Sequence, residues 1–105
     1  MRVEFIETPL FTQCVTALLS DDEYRKLQEE LIRNPKAGDV IPGSDGLRKL
    51  RWRVAGRGKR GGIRVIYYCW SEGRLVMYYA YDKTKQEDLT PDQLSNLRRL
   101  IRELS

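Results

Sequence analysis

The sequence predicts an α+β fold in which an antiparallel sheet packs against an N-terminal helical hairpin and a C-terminal helix, in the order β-α-α-β-β-β-α. Three observations predict it: two capping boxes that open amphipathic helices, alternating apolar residues in the later segments, and turn signals between them. The chain has 105 residues, the length of one domain. We therefore expect residues 1–105 to form a single domain.

The N-terminal third is predicted to contain a short strand and two helices. Val3 and Phe5 alternate with charged residues, as in a strand, and Thr8-Pro9 supplies an N-cap followed by proline at the first helical position. Ser20-Asp21-Asp22-Glu23 is a capping box that opens a second helix, which Asn34-Pro35 ends. The short connection between the two helices predicts that they pack as a hairpin.

The remainder is predicted to contain a loop, three strands and a helix. Residues 36–46 are rich in glycine and predict a loop. Residues 48–54 alternate apolar and cationic side chains, the pattern of a half-buried strand with a cationic outer face. Residues 63–70 and 74–81 are predicted strands joined by a hairpin turn. Thr90-Pro91-Asp92-Gln93 repeats the capping pattern and opens the last helix.

The composition excludes several kinds of chemistry. The chain has no histidine, which rules out a histidine general base, a Ser-His or Cys-His nucleophile and a histidine metal site. Any catalysis must use Lys, Arg, Tyr or carboxylates, and we expect no metal ion or cofactor. Cys14 and Cys69 lack C-x-x-C spacing and predict buried, reduced thiols. The start lacks a signal-peptide pattern and no apolar run approaches the ~20 residues of a membrane span, so we expect a cytoplasmic protein without membrane contact.

The positive charge is concentrated in one segment. The net charge is +4. Residues 47–64 contain eight basic residues and no acidic one, whereas residues 1–46 contain five basic and nine acidic residues. Clustered Arg and Lys on a folded domain indicate binding to a nucleic-acid backbone. The alternative is a solvated cationic face held by ion pairs to the acidic helices.

Part of this basic segment is a glycine-rich loop at residues 56–62. Its pattern matches neither common phosphate-binding glycine motif, and a strand rather than a helix follows it, so a mononucleotide site is disfavoured. A basic loop that contacts nucleic-acid phosphates fits better. Tyr81 is a candidate for base stacking or proton transfer, as is Tyr68, whose strand parity then requires a bulge or an exposed sheet face. The candidate RNA-binding residues are Arg48, Arg53, Arg57, Lys59, Arg60, Lys85 and Tyr81.

Four cations are candidates for catalysis. If the two middle strands are antiparallel, Arg64 approaches Lys49 and Arg51, and Lys83 follows the next strand at the same edge. Clustered cations help a lysine to lose its proton, and arginine can stabilise negative charge on a phosphorane. Cleavage of RNA by its own 2′-OH needs a base, an acid and charge stabilisation but no metal. The catalytic candidates are therefore Arg64, Lys49, Arg51 and Lys83.

Residues 47–68, LRKLRWRVAGRGKRGGIRVIYY, resemble the signature of RelE/HigB-type toxins of bacterial type II toxin–antitoxin systems, in the RelE/ParE superfamily. The similarity extends to the N-P at residues 34–35, the loop and basic strand at 38–49, the Y-x-K at 81–83 and the D-L-T at 88–90. It implies a compact RelE-like domain and an mRNA interferase, an endoribonuclease that cleaves mRNA in the ribosomal A site, in contact with ribosomal RNA, and thereby inhibits translation.

The resemblance also implies roles and partners. Arg64 matches an arginine that stabilises the transferring phosphate, Lys49 and Arg51 match a basic pair that contains a candidate base, and Lys83 matches a basic residue near the end of the last strand. A tyrosine that some members use near the terminal helix is replaced by residues 87–90, EDLT, which leaves the general acid open. The implied partner is a cognate antitoxin, acidic or with a helix-turn-helix domain, encoded in an adjacent gene. The alternatives are a ParE-like DNA gyrase inhibitor and a non-enzymatic RNA-binding module.

Overall fold

The computed structural model describes residues 2–54 and 62–104. Its architecture is α+β, as predicted, and its elements follow the predicted order with one additional strand. They are β1 (Glu4–Glu7), α1 (Pro9–Leu18), α2 (Asp21–Arg33), β2 (Asp39–Val40), β3 (Arg48–Trp52), β4 (Ile63–Ser71), β5 (Arg74–Asp82) and α3 (Pro91–Glu103).

The described strands form one five-stranded sheet in the order β1-β5-β4-β3-β2. The expectation of an antiparallel sheet is wrong for one pair, because β1 lies parallel to β5 while the other neighbours are antiparallel. Parallel pairing is possible here because the whole intervening chain returns β5 to the side of β1. The sheet is therefore mixed. Strand β2 lies within the predicted loop at residues 36–46 and, with two residues, is too short to show any alternation.

The helix boundaries follow from their caps. Thr8 accepts a hydrogen bond from the Phe11 N–H, and Pro9 occupies the first turn of α1. Capping boxes open α2 at Ser20 and α3 at Thr90, as predicted. An Asp or Glu in the first turn of α2 and of α3 also suits the positive end of the helix dipole.

Helices cover the sheet on both sides and create two separate apolar cores. We call the two sides the α1/α2 face and the α3 face. Alternation along β4 directs Val65 and Tyr67 to the first face and Arg64 and Ile66 to the second. The buried α1/α2 core contains Phe11, Val15, Leu19, Leu27, Leu31, Leu50, Val54, Ile63, Val65, Tyr67, Leu75, Met77 and Ala80. The buried α3 core contains Leu47, Ile66, Val76, Tyr78, Tyr81, Leu97 and Ile101.

A β-bulge in β5 changes which of its side chains meet α3. Ile66 pairs with Tyr79, whereas the next residue of β4 pairs with Met77, so Tyr78 is an extra residue. Tyr78 and Tyr79 both pack in the α3 core as a result. Beyond the bulge the alternation is shifted by one, and Tyr81 lies on the α3 face.

The structure bears on two further expectations. Cys14 and Cys69 are both free, as predicted, although each is half-buried rather than buried. Within the described ranges, none of the helices has the length and apolar character needed to cross a membrane.

Candidate nucleic-acid interface

Strand pairing brings three cations and a tyrosine together on the α3 face, at the end of the sheet where β4 begins and β5 ends. Arg64 lies opposite Arg51 on one side and opposite Tyr81 on the other. Lys49 pairs with Ile66, one step further along the same face. Directly opposed residues share a face and have Cβ atoms about 5 Å apart. The antiparallel approach of Arg64 to Lys49 and Arg51 is thus as predicted.

Arg64 is a buried cation with few internal acceptors. Its side chain lies in the sheet with a relative exposure of 8%. One guanidinium nitrogen donates a hydrogen bond to the carbonyl of Ile63 at 3.3 Å. Among the residues that the structure describes, Arg64 has no carboxylate partner. Because buried charges are normally paired, the remaining donors of this side chain fit an anion from outside the chain.

Tyr81 is the buried neighbour of Arg64 on β5. Its exposure is 4%, and its hydroxyl has no hydrogen-bond partner within the described chain. Burial raises its pKa to about 12, with smaller increases from Asp88 and Tyr79 that the Arg64 charge partly offsets. The hydroxyl therefore stays protonated at neutral pH and can donate a hydrogen bond. A ring this buried cannot stack on a nucleotide base, so the chemistry of Tyr81 is that of its hydroxyl.

Asp88 is a residue of this region that the sequence analysis assigned only to the opening of the last helix. Its Oδ1 lies 3.4 Å from the Nζ of Lys49, and it accepts the Leu89 N–H at 2.8 Å. The Lys49 side chain is 29% exposed and that of Asp88 is 68% exposed. Exposed ion pairs of this kind are weak, so an incoming anion can replace the carboxylate beside Lys49. The sequence signal for Asp88 was its position between the Y-x-K motif and the N-cap of the last helix, which places a carboxylate near the cations at the end of β5.

Hydrogen bonds at the start of α3 hold this region in place. The Tyr79 hydroxyl donates to Gln86 Oε1 at 3.2 Å and accepts from Gln93 Nε2 at 3.4 Å. Gln86 also donates to the backbone carbonyl of Asp88 at 2.9 Å. Tyr79 thereby fixes the turn that carries Asp88 to the end of β5. The ring of Tyr79 lies 5.6 Å from that of Tyr81, measured between centroids.

Arg48 lies apart from this cluster. It is opposite Tyr67, on the α1/α2 face, and one of its terminal nitrogens donates to the carbonyls of Gly38 at 2.7 Å and Lys36 at 3.4 Å. These bonds hold the connection between α2 and β2 against the sheet. The alternation along β3 already places Arg48 on the same side as Leu50, which is the signal that separates it from its cationic neighbours.

Of the other candidate site residues, some are exposed and the rest lie outside the described residues. Arg53 is exposed just after β3. Lys83 and Lys85 are exposed in the turn after β5, and the Lys83 N–H donates to the carbonyl of Gly62 at 3.3 Å, which places Lys83 beside the start of β4. The RNA-binding candidates outside the described residues are Arg57, Lys59 and Arg60.

The described residues contain no group of three or more His, Cys, Asp or Glu side chains that could hold a metal ion. A cavity of about 350 Å³ lies at the opposite end of the sheet, away from the cations. Its lining residues are Val3, Pro35, Lys36, Cys69, Ser71, Glu72, Gly73 and Leu75.

The cationic end of the α3 face is suited to one kind of ligand. It offers arginine donors, a phenolic donor and a lysine, with exposed cations beside them, and so favours a phosphate group in a chain of phosphates. No protein-family model matches the sequence.

Proposed function

We propose that this protein is a ribosome-dependent mRNA endoribonuclease, a cytoplasmic toxin of the RelE/HigB type with a RelE-like fold. The observation that carries the proposal is Arg64, a buried arginine without a carboxylate partner in the described chain, opposite Arg51 and Tyr81. Burying an uncompensated charge is costly, which favours a site where a ligand supplies the opposite charge. An RNA phosphodiester is such a ligand.

The proposed reaction is attack of a ribose 2′-OH on the adjacent phosphorus. The new bond gives a 2′,3′-cyclic phosphate, the P–O5′ bond breaks, and the departing oxygen takes a proton from water to leave as a 5′-hydroxyl. Arg64 stabilises the negative charge that develops on the phosphorane oxygens, and Arg51 supports it from the neighbouring strand. Lys49 takes the proton from the 2′-OH, because arginine cannot lose a proton at neutral pH. Lys83, in the turn after β5 and beside the start of β4, adds positive charge near the same phosphate.

The exposed cations around this centre would hold the rest of the nucleic acid. Arg53 and Lys85 lie on either side of the buried cluster along the chain, and both are exposed. Contacts of this kind add affinity without base specificity and weaken as salt rises. We propose that they face mRNA and ribosomal RNA in the A site, and that a cognate antitoxin from an adjacent gene neutralises the toxin.

The proposal is tested by expressing the wild-type protein, Arg64→Ala and Arg74→Ala in growing bacteria. Arg74 is the matched control, since it is also a sheet arginine but lies at the far end of β5, with Glu4 and Trp70. Wild type and Arg74→Ala should arrest growth and produce new mRNA 5′ ends at ribosome-bound codons. Arg64→Ala should reduce cleavage by about 100-fold or more, the usual effect of losing a charge-stabilising donor. Circular dichroism confirms that the variants are folded.

Three other outcomes would contradict the proposal. Full cleavage by a folded Arg64→Ala variant would remove Arg64 from the reaction. DNA damage with continuing protein synthesis would identify a gyrase inhibitor. Tight, salt-sensitive RNA binding that leaves ribosome-bound mRNA intact would identify a binding module.

A further inference from the structure

Two buried side chains with unused hydrogen-bond donors, counted within the described residues, lie opposite each other on β4 and β5. One is the guanidinium of Arg64, whose single hydrogen bond within the described residues goes to the adjacent carbonyl of Ile63. The other is the hydroxyl of Tyr81, which has no partner in residues 2–54 and 62–104. Because buried donors without acceptors destabilise a protein, an unpaired hydroxyl beside a guanidinium with unused donors indicates a missing acceptor.

We propose that the Tyr81 hydroxyl is a phosphate-binding donor that positions a non-bridging oxygen of the RNA phosphate held by Arg64. The identity of the anion rests on the proposed function, whereas the need for an acceptor rests on the geometry alone. Tyr81 thereby fixes the orientation of the phosphate relative to Arg51 and Lys49, and it acts by positioning rather than by base stacking or proton abstraction.

Three other tyrosine hydroxyls of the sheet and its helices, at buried or half-buried positions, each have an acceptor. Tyr24 donates to Glu7 Oε2 at 2.6 Å, Tyr67 donates to the carbonyl of Pro35 at 2.7 Å, and Tyr79 donates to Gln86. Tyr81 is buried, like Tyr67, but its hydroxyl makes no such bond to any residue that the structure describes. Its high pKa keeps the proton on the oxygen at neutral pH, so it can only donate to an anion and cannot serve as a base.

The test compares Tyr81→Phe with Tyr79→Phe, a matched control on the same strand and face whose hydroxyl already has partners. The probe is a 2′-O-methylated RNA hexamer, which cannot be cleaved by 2′-OH attack, and its Kd is measured by fluorescence anisotropy alongside the Tm of each free protein. Tyr81→Phe should raise the Kd about 10-fold, as expected for a hydrogen bond to a charged group. It should also raise the Tm, by about 4–8 °C, because an unpaired hydroxyl is removed from the core.

Tyr79→Phe should lower the Tm, because it removes the hydrogen-bond partner of Gln86 Oε1 and of Gln93 Nε2, and should leave the Kd unchanged. An unchanged Kd for Tyr81→Phe, while Arg64→Ala loses binding, would overturn the role of Tyr81 and leave the proposed function intact. Equal binding by wild type and Arg64→Ala would instead contradict the proposed site itself. A lower Tm for Tyr81→Phe would show that the hydroxyl has an internal partner, which also overturns the inference.

Discussion

One tyrosine and one arginine on each face of the central sheet differ in their hydrogen-bond partners. On the α1/α2 face, Tyr67 accepts a hydrogen bond from the Gly38 N–H at 2.9 Å and donates to the carbonyl of Pro35, while Arg48 donates to the carbonyl of Gly38. On the α3 face, Tyr81 has no partner in the described chain and Arg64 bonds only the carbonyl beside it. Both faces bury a tyrosine and use an arginine.

The difference indicates that Tyr67 and Arg48 stabilise the fold, whereas Tyr81 and Arg64 are available to bind a ligand. Acceptors on the α1/α2 face come from the backbone between α2 and β2, so each donor contributes to folding. On the α3 face the strands fix Arg64 and Tyr81, but the described residues offer no acceptor to the Tyr81 hydroxyl and only one to Arg64, an unfavourable arrangement that a bound anion can relieve. Substitutions on the α1/α2 face should therefore lower the free energy of unfolding, whereas substitutions on the α3 face should mainly change RNA affinity.

The largest expected effect on stability is that of Tyr67→Phe. It removes the acceptor of the buried Gly38 N–H together with the bond to Pro35, and should lower the free energy of unfolding by about 2 kcal/mol. Urea denaturation measures the loss, and RNA cleavage per folded molecule should not change. The same substitution at Tyr81 has the opposite predicted sign, so a loss of stability in both variants would break the comparison between the faces.

A smaller effect is expected from Arg48→Met, which keeps the apolar stem but removes the bonds to the carbonyls of Gly38 and Lys36. Its unfolding free energy should fall by about 1 kcal/mol with RNA affinity nearly unchanged. Arg51→Met is the matched variant three residues away on the α3 face. It should keep its stability and bind the RNA hexamer more weakly. Equal losses of affinity in the two variants would mean that both faces contact RNA.

The smallest effect is expected from Asp88→Asn, which removes the charge beside Lys49 but retains an oxygen that can accept the Leu89 N–H. The pair is partly exposed, so stability should change by less than about 1 kcal/mol. RNA affinity should rise about 2- to 3-fold at low salt, and the difference should shrink as salt screens the charges. Anisotropy titrations at two salt concentrations measure it, and weaker binding would show that Asp88 supports the site directly.

The helices and the cationic strand could be predicted from sequence, because helix caps and side-chain alternation depend only on neighbouring residues. The capping boxes at Ser20 and Thr90 and the proline after Thr8 place three helix starts within the sequences that cap them. Alternation along residues 48–54 likewise placed Lys49 and Arg51 on one face. Antiparallel pairing then brought Arg64 to them, so the cationic part of the site could be predicted from sequence.

The rest depends on interactions between distant parts of the chain. The parallel pairing of β1 with β5 joins strands separated by most of the molecule, and β2 is defined only by its partner in β3. The position of Tyr81 opposite Arg64 depends on a β-bulge that neither the alternation of side chains nor the composition predicts. The weak pair between Lys49 and Asp88 depends in turn on how α3 returns to the sheet.

The bulge at Tyr78 decides which side chain of β5 lies opposite Arg64. If β5 paired with β4 beyond Met77 without this bulge, the faces of Ala80 and Tyr81 would be exchanged. Ala80 would then sit beside Arg64, and the phenol would enter the α1/α2 core. A strand shorter by one residue at the bulge would alternate regularly and keep Tyr81 opposite Arg64, so the bulge absorbs one extra residue without moving the site.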